Sequence, residues 1–262
     1  MDMLEALKNY YESYDEDGRL RSRNGMVEYL TTMRYVERYL TPGMRILEIG
    51  AGTGRYSHSL ARMGYRVDAV ELVEHNIELF RQNTQQGENV TITQGNAMEL
   101  SMCEDDTYDL TLLLGPMYHL LEEHEQIKAL REAIRVTKKG GVLFAAYCNN
   151  DATMVQYCFG RGMILQEPYR SLIDMNTFKA SSTPAQLFQL YRREDIDALM
   201  SRFDVKRLHY VGTDMATHYM QSTVDEMSDE LFDLYLRYHF TICERSDMVG
   251  VSHHILDVFQ KD

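Results

Sequence analysis

The sequence predicts an α/β protein: a doubly wound, mostly parallel sheet of seven strands, with an N-terminal helical cover and helical insertions late in the chain. Three observations predict it. Residues 46–54, ILEIGAGTG, read as a short buried strand that runs into a glycine turn. Apolar runs of strand length then alternate with stretches of helical period, the pattern of a parallel sheet with right-handed crossovers. The 262 residues suffice for one such domain of about 200 residues plus embellishments.

Two helical patterns precede the sheet. Leu4, Leu7, Tyr11 and Tyr14 keep helical spacing until Asp15-Glu16-Asp17-Gly18. Met26, Leu30, Met33 and Leu40 keep it until Thr41-Pro42-Gly43. Residues 1–40 are therefore expected to form a cover, either packed on a sheet edge or closed over a ligand. In the second case Tyr10, Tyr14 and Arg23 are the residues to watch. The remainder, 41–262, is expected to be one domain.

Its first strand ends at Gly50, Gly52 and Gly54, and Tyr56, Leu60 and Met63 then fall on one face of a helix stopped by Gly64. Residues 65–71 (YRVDAVE) read as the second strand, with Ile77 and Phe80 on the helix after it. Residues 90–93 are the third strand and 108–114 (YDLTLLL) the fourth. Ile127, Leu130 and Ile134 mark a helix whose expected close is Lys138-Lys139-Gly140, positive charge and glycine at the C-terminus. Residues 141–147 (GVLFAAY) are the fifth strand. The rhythm then breaks: 149–184 carries Asn, Gly, Pro and Ser with scattered Tyr157, Phe159, Tyr169 and Phe178. Ile196, Leu199 and Met200 restore a helix, and 205–211 and 251–259 read as two final strands. Between them Val224, Met227, Leu231, Leu234, Tyr238 and Ile242 make one helical stripe.

The glycine spacing narrows the ligand. Strand, glycine turn and helix bring bare backbone N–H groups and a helix N-terminus up to a bound group. A dinucleotide turn needs G-x-G-x-x-G, but here the third glycine, Gly54, comes one residue early and Arg55 stands in its place. No G-K-S/T follows, which excludes a P-loop. Glu48 sits inside the strand, where a carboxylate needs a partner, and a cationic group on the ligand would supply one. The run ExGxGxG resembles motif I of the class I S-adenosylmethionine-dependent methyltransferases, closely over 41–147 and in outline beyond. The resemblance implies a Rossmann-like fold, with S-adenosylmethionine as cofactor and S-adenosylhomocysteine as product. It also implies that the insertions near 149–190 and 213–247 form a substrate cover.

Candidate site residues follow in chain order. Glu48, Gly50, Ala51 and Gly52 belong to the glycine turn. Glu71 closes the second strand 21 residues after Gly50, where an acid can accept hydrogen bonds from both ribose hydroxyls, as in dinucleotide folds; Leu72 is beside it. After the third strand, Gly95-Asn96-Ala97 stands where many family members have Gly-Asp-Ala. Asn96 keeps an oxygen acceptor for the adenine amine, against the alternative of a plain Asx turn, and Ala97 offers a backbone N–H. Leu114 and Gly115 follow the fourth strand, where methyl group and acceptor should meet. The amino-methylating nucleic-acid enzymes place an acidic or amide residue here, and Gly115 has no side chain to do that work. No Pro-Cys dipeptide occurs either. The string Gly115-Pro116-Met117-Tyr118-His119-Leu120 is similar to one found in bacterial class I enzymes. His119 could serve as general base or only fix its loop. Tyr118 could bound the sulfonium or the acceptor through its aromatic face.

Bulk properties restrict the partners. Lys plus Arg number 27 against 40 Asp plus Glu, a formal net charge of −13, so a phosphate backbone is repelled over most of the surface. The three arginines within 19–23 are the best basic patch. Cys103, Cys148, Cys158 and Cys243 show no C-x-x-C spacing and read as free thiols in a reducing compartment. The N-terminus lacks a signal-peptide core and no stretch approaches a membrane span, so a cytoplasmic protein is expected. No metal site is expected, since His253 and His254 are adjacent on a strand and His119 and His124 lack an H-E-x-x-H frame. Tyr235, Tyr238, His239 and Phe240 read as core. The expected function is methyl transfer to an O, N or S atom of a small molecule. Two alternatives stand beside it: methylation of a modified tRNA or other RNA nucleotide, and a protein that binds the cofactor without turning it over. The oligomeric state stays open.

Overall fold

Alternate residues of the first strand face two different helical layers, and this sets the architecture. The computed structural model describes residues 2–13, 18 and 22–262; Tyr14 and, in the arginine run, Arg19 and Arg21 lie outside the described residues. Helices α1 (Met3–Ser13) and α2 (Arg23–Glu37) precede strand β1 (Arg45–Ile49). Then come α3 (Arg55–Arg62), β2 (Arg66–Glu71), α4 (Glu74–Asn83), β3 (Val90–Gln94), β4 (Tyr108–Leu113), α5 (Glu123–Val136) and β5 (Thr137–Asn149). After short helical turns the chain forms β6 (Leu190–Tyr191), α6 (Arg193–Met200), β7 (Val205–Gly212), α7 (Gln221–Asp225), α8 (Asp229–Ile242) and β8 (His254–Lys261). The sheet order is β3-β2-β1-β4-β5-β8-β7, with β8 antiparallel to both neighbours and the other pairs parallel.

Leu47 and Ile49 pack with α5 and α6 through Ala129, Leu130, Ile196 and Leu199. Ile46 packs on the other face with α2 and α3 through Met33, Val36, Leu60 and Ala61. A strand buried on both faces has to be apolar throughout, which is why ILEI reads as it does. Glu48 is the exception, and the period of two turns it toward the α3 side.

Several expectations need correction. The sheet has an eighth strand, because Leu190 and Tyr191 pair with Cys148 and Asn149; two residues carry no periodic signal. Leu40 lies in the turn beyond α2, and Met63 is exposed at the end of α3. The Lys138-Lys139-Gly140 run does not cap α5. The helix stops at Val136 and β5 begins at once, with a bulge against β4 between Tyr108 and Leu110. Lys138 instead pairs with Asp109 at 2.6 Å. The final strand starts at His254, since Val249–Val251 is a 3-10 turn. The single late stripe is two helices. Leu231, Leu234 and Tyr238 face outward, while Phe232 and His239 face in. His239 earns that place by bonding Thr31 Oγ1 of α2 at 2.9 Å. Arg23 pairs with Asp229 and lies over the Phe232 ring. All four cysteines are free and buried, and no helix among the described residues is long and apolar enough to cross a membrane.

Candidate active site

The β1–α3 turn is built from glycine for two reasons. Gly50, Gly52 and Gly54 all have positive φ, at 74°, 55° and 90°, a conformation that side chains rarely adopt. Gly50 is also a close approach: a Cβ there would stand 2.6 Å from Pro116 Cδ in the loop after β4. The turn is thereby held against the segment that carries Gly115, Tyr118 and His119.

Two carboxylates fix this turn from below. Glu71 Oε2 accepts the Gly52 N–H at 2.8 Å, and its Oε1 accepts the Val73 N–H at 2.9 Å. Glu48 Oε2 accepts the Ser57 N–H at 2.9 Å and a short bond from the Ser57 hydroxyl. Glu48 therefore has a partner inside the protein, in the first turn of α3, and does not rely on a ligand cation. Burial still dominates: it pushes the Glu48 carboxyl up to about 8, against the lowering by Ser57 and with a small rise from Glu71. A carboxyl raised this way is most compatible with the fold below its ordinary range, and the Glu48 contribution to free-protein stability is lost as pH rises from about 4.5 through 8. A cationic ligand beside Glu48 favours its ionised form. At pH 7, calorimetry in buffers of different ionisation heat is expected to register release of about one proton on cofactor binding, absent in Glu48→Gln. A buffer-independent heat in the native protein would mean that Glu48 is already ionised.

One cavity of about 690 Å³ brings the candidate residues together. Glu48, Gly50, Ala51, Gly52, Glu71, Leu72, Asn96, Ala97, Leu114, Gly115, Tyr118 and His119 all line it. Asn96 Oδ1 accepts the Met98 N–H at 3.0 Å, so the Asx turn is present; its second lone pair is what remains for a ligand. At Glu71 both oxygens already hold backbone donors, and removal would release the turn as well as any ligand. Glu71→Ala is expected to weaken S-adenosylhomocysteine binding by about 1.5–3 kcal/mol, the scale for hydrogen bonds to a charged group. Unchanged affinity in a calorimetric titration would take Glu71 out of the site.

His119 is buried, and its two ring nitrogens can be told apart. Nδ1 lies 3.2 Å from the Leu187 carbonyl oxygen, which only accepts, so Nδ1 carries the proton. Nε2 then accepts from the Tyr11 hydroxyl at 3.0 Å. Burial pushes the imidazole down to about 4, and the Leu187 bond offsets part of that. Tyr11 belongs to α1, whose Met3, Leu4, Leu7 and Tyr10 also line the cavity. Helix α1 thus roofs the cavity, packed on Val73, Leu187 and Phe188, while α2 is the helix that packs on the sheet. Spacing within α1 could reveal its apolar face but not this partner, 108 residues away.

The half of the cavity beyond Tyr118 holds residues that sequence reasoning missed. Tyr157, Met163, Tyr169, Leu172 and Ile173 wall it, and Glu28, His218, His253 and His254 form a polar end. His253 and His254 both reach this cavity, contrary to the expectation for neighbours on a strand, because His253 precedes β8 where the pleat has not begun. The His218 and His253 rings stack at 3.9 Å between centroids. Asp214 is buried beside them: burial pushes its carboxyl up, but His254, then His218 and His253, hold it well below the usual range. Burial likewise pushes the His254 imidazole down, and Glu28 and Asp214 outweigh it and hold the ring well above its ordinary value.

Comparison with known proteins agrees with this geometry. Residues 46–141 match the family described as Methyltransferase domain. Ubiquinone biosynthesis O-methyltransferase of Methylocella silvestris is 31% identical over 140 residues, 53% of this chain and 52% of that protein. The chain thus spans about half the length of that relative. The enzyme of the same name from Hahella chejuensis is 25% identical over 199 residues, 74% of this chain and 81% of that protein. Two solved structures share the fold. A SAM-dependent methyltransferase from Methanosarcina mazei has a TM-score of 0.57 at 17% identity, covering 87% of this chain and 96% of that one. Magnesium protoporphyrin IX methyltransferase from Synechocystis, solved with bound SAH, has a TM-score of 0.58 at 13% identity, covering 91% and 83%. With its glycine turn, acidic strand end and sheet order, the chain resembles the class I S-adenosylmethionine-dependent methyltransferases, and its residues 46–141 match a methyltransferase domain.

Proposed function

We propose that the protein transfers the methyl group of S-adenosylmethionine to an oxygen of a small molecule. The observation that carries this reading is one continuous cavity, which runs from the glycine turn past Tyr118 into an aromatic-walled chamber. A cofactor at the turn leaves that chamber for an acceptor. The choice of oxygen is supported by the names of the curated relatives, which are O-methyltransferases.

The sulfonium cofactor supplies an already activated methyl group, so the protein's main task is alignment. In this reading Glu71 holds the ribose, Asn96 and Ala97 the adenine edge, and Glu48 the cationic end. Tyr118 bounds the methyl acceptor. His119 Nε2, neutral and turned toward the cavity roof, takes the acceptor proton when Tyr11 yields its place. The apolar and aromatic lining of the chamber and the charge of −13 support a small acceptor over RNA. Space beyond the turn supports catalysis over cofactor binding alone.

The test is mass spectrometry of cell extract incubated with the protein and methyl-labelled cofactor, with and without RNase. A labelled small molecule that survives RNase, and forms with little dependence on salt, is expected. Label that vanishes with RNase and with moderate salt would overturn the small-molecule reading in favour of RNA.

A further inference from the structure

At the polar end of the cavity three elements distant in sequence meet: Glu28 from α2 and His254 at the start of β8 line it, and Asp214, just after β7, is buried beside them. Asp214 Oδ2 stands 2.8 Å from His254 Nδ1, and Glu28 Oε2 stands 3.4 Å from the same nitrogen. One potential ligand atom from each residue lies within 4.8 Å of the others. Donors that share an ion at about 2.0–2.2 Å are themselves about 3–3.5 Å apart, so little movement would bring these three onto one centre.

The supporting shell is a separate observation. Asp214 Oδ1 accepts from the Ser252 hydroxyl and the His253 N–H at 2.6 and 2.8 Å, and from the His254 N–H at 3.2 Å. One oxygen is thus anchored by the backbone and the other is turned into the cluster, as carboxylate ligands of metals are usually held. His218 Nδ1, 3.7 Å from Asp214 Oδ2, stands within reach of a further position.

We propose that Glu28, Asp214 and His254 form a site for one divalent cation at the acceptor end of the cavity. Two carboxylates and an imidazole suit zinc or manganese better than calcium, which takes oxygen alone. Three protein ligands leave coordination positions open. The cavity is beside them, with the Tyr118 ring 5.8 Å from that of His254 between centroids. An oxygen of the acceptor is the group that would fill an open position. That last point rests on the methyl-transfer reading, and the cation site itself does not.

The test uses the full chain, stripped with chelator, and titrates it with zinc, manganese and, as a visible probe, cobalt. One equivalent is expected to bind, with cobalt giving inner-sphere d–d absorption. Glu28→Gln and His254→Ala are each expected to weaken binding at least about tenfold, with circular dichroism and S-adenosylhomocysteine affinity reporting an intact fold. Native protein that binds no equivalent and gives no cobalt band would overturn the site, whatever the variants do. Equal binding in native protein and folded variants would overturn it too, leaving the cluster as an ion pair. Metal binding that persists without any methyl transfer would count against the proposed function alone.

Discussion

Gly50→Ala is expected to weaken cofactor binding at least about 100-fold and to lower the melting temperature. Two costs add at this position. A non-glycine residue held at positive φ is strained by about 1–3 kcal/mol, and the Gly50 φ is 74°. The added methyl would also meet the Pro116 ring at 2.6 Å, an overpacking that costs about 1–3 kcal/mol more. Relief requires the turn and the loop after β4 to separate, which takes the cofactor's backbone donors away from Tyr118 and His119. Gly52→Ala is the internal control, because nothing stands within 4 Å of a Cβ there. It carries the backbone cost alone. If both variants bind S-adenosylhomocysteine equally, the contact with Pro116 has no part in the site.

His119→Ala is expected to lower turnover about 10²–10⁴-fold with cofactor affinity nearly unchanged, the signature of a general base. The structure alters the expected pH dependence. With its imidazole pushed down to about 4, His119 is neutral through the physiological range, so no acid limb between pH 6 and 8 belongs to it. Its titration shows in stability instead. A histidine whose folded value is lowered contributes stability that is complete above the unfolded value and is lost as pH falls toward the folded one. Between pH 6.5 and 4 that loss is roughly 3 kcal/mol, and His119→Ala should not show it. Tyr11→Phe should retain turnover, since the acceptor displaces that hydroxyl. Full turnover in His119→Ala, with a lower melting temperature, would reduce His119 to a brace between Leu187 and Tyr11.

What could be read from the sequence was local. The strand, the glycine turn and Glu71 occupy short segments whose spacing is itself the signal, and a mostly parallel sheet follows from alternating elements. Asn96 was legible in position, though its Asx turn is decided by the neighbouring Met98 N–H. Features made by distant segments were not legible. Tyr11 on His119, Thr31 on His239, and the meeting of Glu28 with Asp214 and His254 join positions 108 to 226 residues apart. The stripe on α8 misled for a related reason. Its apolar spacing is regular, yet the pairing of Thr31 with His239 and the packing of Phe232 on Val27 and Val224 turn another face inward. Helical period locates an apolar face without saying what covers it.

Strand β8 lies between β5 and β7, antiparallel to both, and that insertion orders events during synthesis. The first five strands can assemble as soon as they leave the ribosome, but β5 then presents a bare, apolar edge for more than a hundred residues. Such edges template pairing with other chains until they are covered. The nascent protein therefore passes through a vulnerable interval that ends only when residues 254–261 slot in. A stop codon just before His254 would leave β7 without a partner and prolong that interval indefinitely. The product should accumulate as aggregate even though every residue of the glycine turn is present.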